Sequence, residues 1–220
     1  MRTFEEIRLA DLVPDQVTVT RGFPTQRGVA EGDVPVMSIA ALRSGSTAKH
    51  FATRDDLADL RLDIARPADV LVAIEGGTIG EAMVVPDGHD DFVPSQQAAT
   101  LRIKNFERID PWYLGAWLST EVAGEQLRRL ARGSGIQRIA MKDLSSLTLS
   151  VPSIEDQREI GERFRAFDGS IRAHRSITAC LEQLLEVDLV VTFADLASSE
   201  RTSRSERTVS RSGPKNKRNR

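Results

Sequence analysis

The sequence predicts an α+β fold, in which short β-strands with flanking helices are followed by one long C-terminal helix. Three observations predict it. Short runs rich in Val and Ile recur through the first half, capped helical segments take over after Asp110, and an apolar stripe at helical spacing begins near Ile160.

Four runs in the first half read as strands: Val34 to Ile39, Asp69 to Ile74, Glu81 to Val85 and Ala99 to Ile103. The link Glu75-Gly-Gly-Thr-Ile-Gly80 is a glycine-rich turn able to bring the second run back against the third. Pro86 to Phe92 is polar and rich in turn residues, so it reads as a loop. Asp110-Pro111 supplies an N-cap followed by proline at the first helical position, opening a helix over Trp112 to Leu118. Thr120 caps a second helix, Glu121 to Ala131, for which Gly133 is the expected C-terminal stop. Leu147, Leu149 and Val151 alternate with polar residues as in a half-buried strand.

After Pro152, Ser153-Ile-Glu-Asp156 has the pattern of a capping box. From there to about Ala197 nothing forces a break, although Gly161 and Gly169 each weaken a helix by about 1 kcal/mol. Ile160, Phe164, Phe167, Ile171, then Leu181 and Leu185, follow alternating steps of four and three with His174 and Thr178 in the intervening seam positions, a heptad-like stripe of about four heptads. One helix cannot bury such a stripe alone. It must pack on its own domain, a second copy or another protein. The organisation expected is a globular domain over 1–152, a long helix over 153–197 and a disordered basic tail over 198–220.

Composition narrows the function. Aromatics are only 5% of the chain, so the core rests on aliphatic residues. The charged start carries no signal-like apolar run, no segment approaches the roughly 18 apolar residues of a membrane span, and Cys180 stands alone; the expectation is a cytoplasmic protein. A net charge of −2 divides into +6 over residues 199–220 and −8 over the rest. An acidic body argues against coating nucleic acid by bulk charge, while leaving room for a local basic face. It also suits an interaction adaptor that reads no DNA.

Catalytic signals are missing. His50, His89, His174 and Cys180 show no metal-ligand spacing. The glycine turn lacks GxxxxGK[ST] and GxGxxG, Asp55-Asp56 and Asp90-Asp91 read as solvated surface, and no nucleophile–base pair can be nominated. No cofactor site is expected in the chain itself. An enzyme, for example a nuclease with a cryptic site, is the remaining alternative class.

One stretch is more specific. Gly133-Ser-Gly-Ile-Gln137 is a small loop with a polar residue, Ile139 to Leu144 ends in Asp-Leu, Leu147 to Pro152 is a short strand ending in proline, and Glu155-Asp-Gln-Arg-Glu-Ile160 starts a helix. In this order the segments resemble the end of a target recognition domain in the DNA specificity subunit of type I restriction–modification systems. Pro67-Ala-Asp-Val-Leu-Val72 is similar to that family's Pro-Gly-Asp strand, with Ala68 where glycine is usual. Ile79-Gly80, Gln96-Gln97, Tyr113-Leu114 and Leu118-Ser119 fit in order and distance. The resemblance spans roughly residues 4–197.

The resemblance implies a recognition domain with a twisted, partly barrel-like mixed sheet, and a helix of coiled-coil type that sets spacing and docks partners. The family's usual chain carries two recognition domains and two long helices. This sequence has room for one of each, like a half-length specificity subunit working as a homodimer. Double-stranded DNA, a DNA adenine methyltransferase (modification) subunit and a restriction or translocase subunit are the implied partners. S-adenosylmethionine, ATP and magnesium would be used by those partners. Such a reader needs polar side chains on loops, since Gln can bridge an adenine edge and Arg a guanine edge while Lys meets phosphate. The DNA-contacting set expected on these grounds is Ser134, Gln137 and Arg138 on the glycine loop, Lys142, Gln96 and Gln97, Thr78 on the turn, and Arg43, Lys49 and His50 around the Arg43–Lys49 loop. The partner helix face is Ile160, Phe164, Phe167, Ile171, Leu181 and Leu185.

Overall fold

A computed structural model describes residues 4–210, with side chains as far as 194. The elements run β1 (Glu5–Arg8), α1 (Leu9–Leu12), β2 (Val17–Arg21), β3 (Val34–Met37), α2 (Ile39–Ser44), β4 (His50–Ala52), α3 (Arg54–Leu60), β5 (Val70–Ala73), β6 (Ala82–Val84), β7 (Val93–Pro94), β8 (Ala98–Ile103), α4 (Pro111–Leu118), α5 (Glu121–Leu130), α6 (Met141–Leu144), β9 (Thr148–Val151) and α7 (Ile154–Ser210). The mixed α+β class is as the sequence predicts.

The strands form three sheets: an antiparallel pair β1–β9, a four-stranded antiparallel sheet β2-β8-β5-β6, and a small sheet β4-β3-β7 in which β3 and β7 run parallel. The four-stranded sheet is covered on both faces. Val70 and Val72 of β5 join the main apolar cluster, together with Ala82 and Val84 of β6 and Ala99 and Leu101 of β8. Their alternates Leu71, Ala73, Met83 and Ala98 join a second cluster with Ile39 and Phe92. Side chains alternate between the faces of a strand, so the two clusters lie on opposite sides of this sheet. That is why β5 reads as an unbroken apolar run rather than an alternating one.

Helix α4 lies against β5 and β6, where Gly115 lets Val84 approach its backbone. Its N-cap forms as expected, Tyr113 N donating to Asp110 Oδ1 at 2.8 Å. Tyr113 is buried and its hydroxyl donates to the Ser150 carbonyl; burial pushes its pKa up to about 12. Ser153 caps α7, Asp156 N donating to its Oγ at 3.2 Å while that hydroxyl donates to Asp156 Oδ2 at 3.2 Å. Gln157 is buried and saturates its amide: Oε1 accepts from Asp110 N at 3.0 Å, and Nε2 donates to the Pro152 carbonyl at 3.0 Å and the Arg108 carbonyl at 3.3 Å.

Two expectations are corrected. The run Val34 to Ile39 ends as a strand at Met37, because Ser38 accepts from Ala41 N and caps α2. Helix α5 stops at Leu130 with Ala131 extended, since the chain leaves directly into a β-bridge between Arg132 and Arg138; Gly133 is therefore not its cap. Helix α7 is described as far as Ser210, and residues 211–220 of the expected tail lie outside the described residues.

Contacts divide the chain into two units, Met1–Arg175 and Ser176–Arg220. Within the first, the opening turns of α7 are docked: Ile160 and Phe164 pack on the main cluster, and Arg165 pairs with Asp87 at 2.5 Å while lying over the Trp112 ring. Within the second, helix residues Ile177, Leu181, Leu184 and Leu185 are exposed.

The two glycines of this helix differ in a way that stability measurements resolve. A Cβ on Gly161 would sit 2.5 Å from Asp110 Oδ1 and 3.0 Å from Tyr113 N, whereas one on Gly169 meets nothing within 4 Å. In urea unfolding, Gly169→Ala is expected to stabilise the protein by about 0.5–1 kcal/mol. Gly161→Ala is expected to destabilise it by about 1–3 kcal/mol, steric overlap outweighing helix propensity.

Candidate functional site

The expected contact residues separate into a group that the fold brings together and others that it places elsewhere. The group forms at one end of the four-stranded sheet, where β5 runs out into Ile74, Glu75 and the turn Gly76–Thr78. The loop after α5 is laid against this turn. Arg132 and Arg138 exchange both backbone hydrogen bonds at 2.9 and 2.8 Å, closing the loop between them. Gly76 N donates to the Gln137 carbonyl at 2.9 Å and Ile139 N to the Ile74 carbonyl at 2.8 Å, so loop and turn form one bridged surface. Gly133 serves the loop itself: its φ of 119° and the Ile136 carbonyl, 2.9 Å from where a Cβ would stand, exclude a side chain there.

The segment before β8 completes the group. Ile74 N donates to the Gln97 carbonyl at 2.8 Å, and Gln96 N to the Phe23 carbonyl at 2.7 Å. Gln96 Nε2 reaches Thr25 Oγ1 at 3.4 Å, whereas Gln97 is exposed. Ser134, Gln137 and Arg138 are exposed, and Thr78 is half-buried. A recess of about 210 Å³ opens beside them, lined by Ser38, Ala40, the glycine turn and Gln97.

At the centre lies Glu75, the first residue of the glycine turn and outside the expected contact set. It is buried, and two arginines meet it from different segments: Arg21 of β2 donates from Nη2 to Oε2 at 3.0 Å, and Arg138 from Nη2 to Oε1 at 2.8 Å. The hydrogen bond and charge of Glu75 raise the pKa of the Arg138 guanidinium further above its ordinary value. Arg21 is also absent from the expected set. So is Ile136, an apolar side chain 72% exposed within the polar loop. The one local signal for Glu75 is an acidic residue joining a buried apolar strand to a Gly-Gly turn.

Among the described residues, the other expected contacts share no direct hydrogen bond with this group. Arg43 lies on α2, not in a loop, because Ser38 opens that helix and Gly45, with φ of 68°, closes it. Its guanidinium is committed to Glu81 at 2.8 Å and the Ala82 carbonyl at 2.5 Å. Lys49 and His50 are exposed at the start of β4, and Lys142 is exposed on α6. The helix set divides as well: Ile160 and Phe164 are packed on the domain, while Phe167, Ile171, Leu181 and Leu185 are exposed. Among the described residues no three His, Cys, Asp or Glu side chains gather as a metal would require, and no helix is long and apolar enough to cross a membrane.

A family model described as the type I restriction modification DNA specificity domain matches residues 1–183. The chain belongs to that family. The fold agrees with solved type I specificity subunits. The S subunit from M. genitalium is 17% identical, with a TM-score of 0.53 over 76% of this chain and 40% of that one. HsdS from Thermoanaerobacter tengcongensis is 19% identical, with a TM-score of 0.51 over 80% of this chain and 40% of that one. A chain from a study of assembly and conformational transition of the type I R-M system is 18% identical, with a TM-score of 0.53 over 83% and 43%. The chain thus spans about two fifths of the length of these structures. A search of curated proteins returned no match.

Two of the motifs that carry the resemblance acquire physical reasons. Gln157, within Glu155-Asp-Gln-Arg-Glu-Ile160, is the buried amide that ties the start of α7 to residues 108, 110 and 152. In Pro67-Ala-Asp-Val-Leu-Val72, Ala68 has φ of 68°, the left-handed region in which glycine is unstrained, and Asp69 is buried and held by Arg102 at 2.8 and 2.7 Å.

Pairing separates Arg43 from Lys142 experimentally. Arg43→Ala is expected to lower unfolding free energy by about 1–2 kcal/mol, because the Ala82 carbonyl loses its donor along with the ion pair. Lys142→Ala is expected to change it by less than about 0.5 kcal/mol in the same urea titration.

Proposed function

We propose that this chain is a DNA-reading specificity subunit, which recognises one half of a bipartite site and directs partner subunits to it. The observation that carries this reading is the shared anchorage of the glycine loop, the glycine turn and the Gln96-Gln97 segment at one end of a rigid sheet. Polar side chains on close-approaching backbone, fixed by buried hydrogen bonds beneath, are what reading base edges in a major groove requires. Gln137 and Gln97 would address adenine edges, Arg138 a guanine edge or a phosphate, and Ser134 and Thr78 the nearby backbone or bases. Lys142 suits a phosphate, with Lys49 and His50 as outlying contacts. The local basic character of this end, set by Arg21, Arg132 and Arg138, answers the acidity of the body.

The partners follow from the family. A DNA adenine methyltransferase subunit would supply methylation from S-adenosylmethionine, and a restriction or translocase subunit would supply ATP- and magnesium-dependent cleavage. The exposed apolar residues Phe167, Ile171, Leu181 and Leu185 suit pairing with a second copy through α7, which is the role a heptad-like stripe serves. Two copies about a two-fold axis would read an interrupted palindrome.

The test is to express the chain with a type I modification subunit and map methylated adenines across the host genome. An interrupted palindrome is expected. A defined but non-palindromic motif contradicts the symmetric pair, and methylation without sequence preference contradicts DNA reading in favour of an interaction adaptor. Leu181→Glu with Leu185→Glu is expected to turn a dimer into a monomer in sedimentation.

A further inference from the structure

The Glu75 cluster distributes its hydrogen bonds unevenly between the two arginines. Arg21 commits two of its three nitrogens to protein, Nη2 to Glu75 at 3.0 Å and Nε to the Gln96 carbonyl at 3.2 Å. Arg138 commits only Nη2, to Glu75 at 2.8 Å; among the described residues its Nη1 and Nε have no partner. Its side chain is half exposed, against 8% for that of Glu75. The backbone of Arg138 is also fixed, bridged to Arg132 on one side and to Glu75 on the other. The result is an arginine whose position and roll are set by a buried carboxylate, and whose free edge is available to solvent.

One carboxylate facing two guanidiniums leaves a net positive charge at the surface. A phosphate would need only that charge. Fixing the orientation of a planar fork matters for a ligand with two acceptors in a defined plane, and a guanine edge presents O6 and N7 in that way. Arg138 leaves the loop directly after Gln137, an amide able to address adenine. Resting on the DNA-reading function above, we propose that Glu75 is a positioning residue that presents Arg138 to a guanine in the major groove, with Arg21 as the fixed counter-charge that keeps the pair in place.

The experiment maps methylated adenines for the chain with its modification subunit, as wild type, as Glu75→Gln and as Arg138→Lys. The wild-type half-site is expected to contain a G·C pair at which both variants lose discrimination by roughly 5- to 150-fold, other positions being kept. Arg138→Lys retains the charge but not the fork, so it decides the matter if Glu75→Gln fails to accumulate as soluble protein. A uniform loss of methylation with an unchanged motif in Arg138→Lys would mean a phosphate contact and overturn the proposal. So would a wild-type motif that both variants keep. A wild-type chain that directs no sequence-selective methylation fails earlier, and contradicts the DNA-reading function itself.

Discussion

The buried carboxylate of Glu75 ties together segments that lie far apart in the sequence. A carboxylate withdrawn from water costs several kcal/mol unless it is paired and hydrogen-bonded. Here the compensation comes from two segments far apart in sequence, β2 through Arg21 and the loop after α5 through Arg138. The glycine turn, the glycine loop and the approach to β8 are thereby held in one place. Strand β5 has a second such charge just before it, where Asp69 is buried against Arg102, whose pKa is raised chiefly by that hydrogen bond. The central strand of the domain is thus bracketed by two paired carboxylates. One fastens the sheet to itself, and the other fastens loops to the sheet.

A different kind of constraint governs the long helix. Its first turns belong to the domain: Gln157 satisfies three backbone groups, Gly161 admits the N-terminus of α4, and Phe164 meets Trp112 with ring centroids 6.5 Å apart. Further along, the same apolar periodicity continues with its side chains exposed. A single stripe therefore serves two purposes in succession, closing the domain core at Ile160 and Phe164 and presenting an apolar face from Phe167 onward.

Much of this was legible in the sequence, and the remainder was not for identifiable reasons. The buried strands β5, β6 and β8 announce themselves by Val, Leu and Ala content, and α4 and α5 by Asp110 and Thr120. Strands β1, β4 and β7 are only two to four residues long, β1 being mostly charged and β7 containing proline, so only pairing makes them strands. Arg43 looks like a loop cation until Ser38 and Gly45 are seen to bound a helix. Ser134, Gln137, Arg138, Gln96, Gln97 and Thr78 could be nominated from loop chemistry, and the fold gathers them. Arg21 and Glu75 could not. A residue in a Val-Thr strand and an acid beside two glycines become a pair only when β2, β8 and β5 lie side by side.

In the proposed function, DNA is read at this gathered end of the sheet. Hydrogen–deuterium exchange of the chain mixed with a type I modification subunit, with and without a duplex carrying the mapped motif, is the direct test of that reading. DNA-dependent protection is expected to concentrate in residues 75–80, 95–97 and 132–138. Protection confined to α7 or to the β4-β3-β7 sheet, with those three segments unchanged, would contradict it.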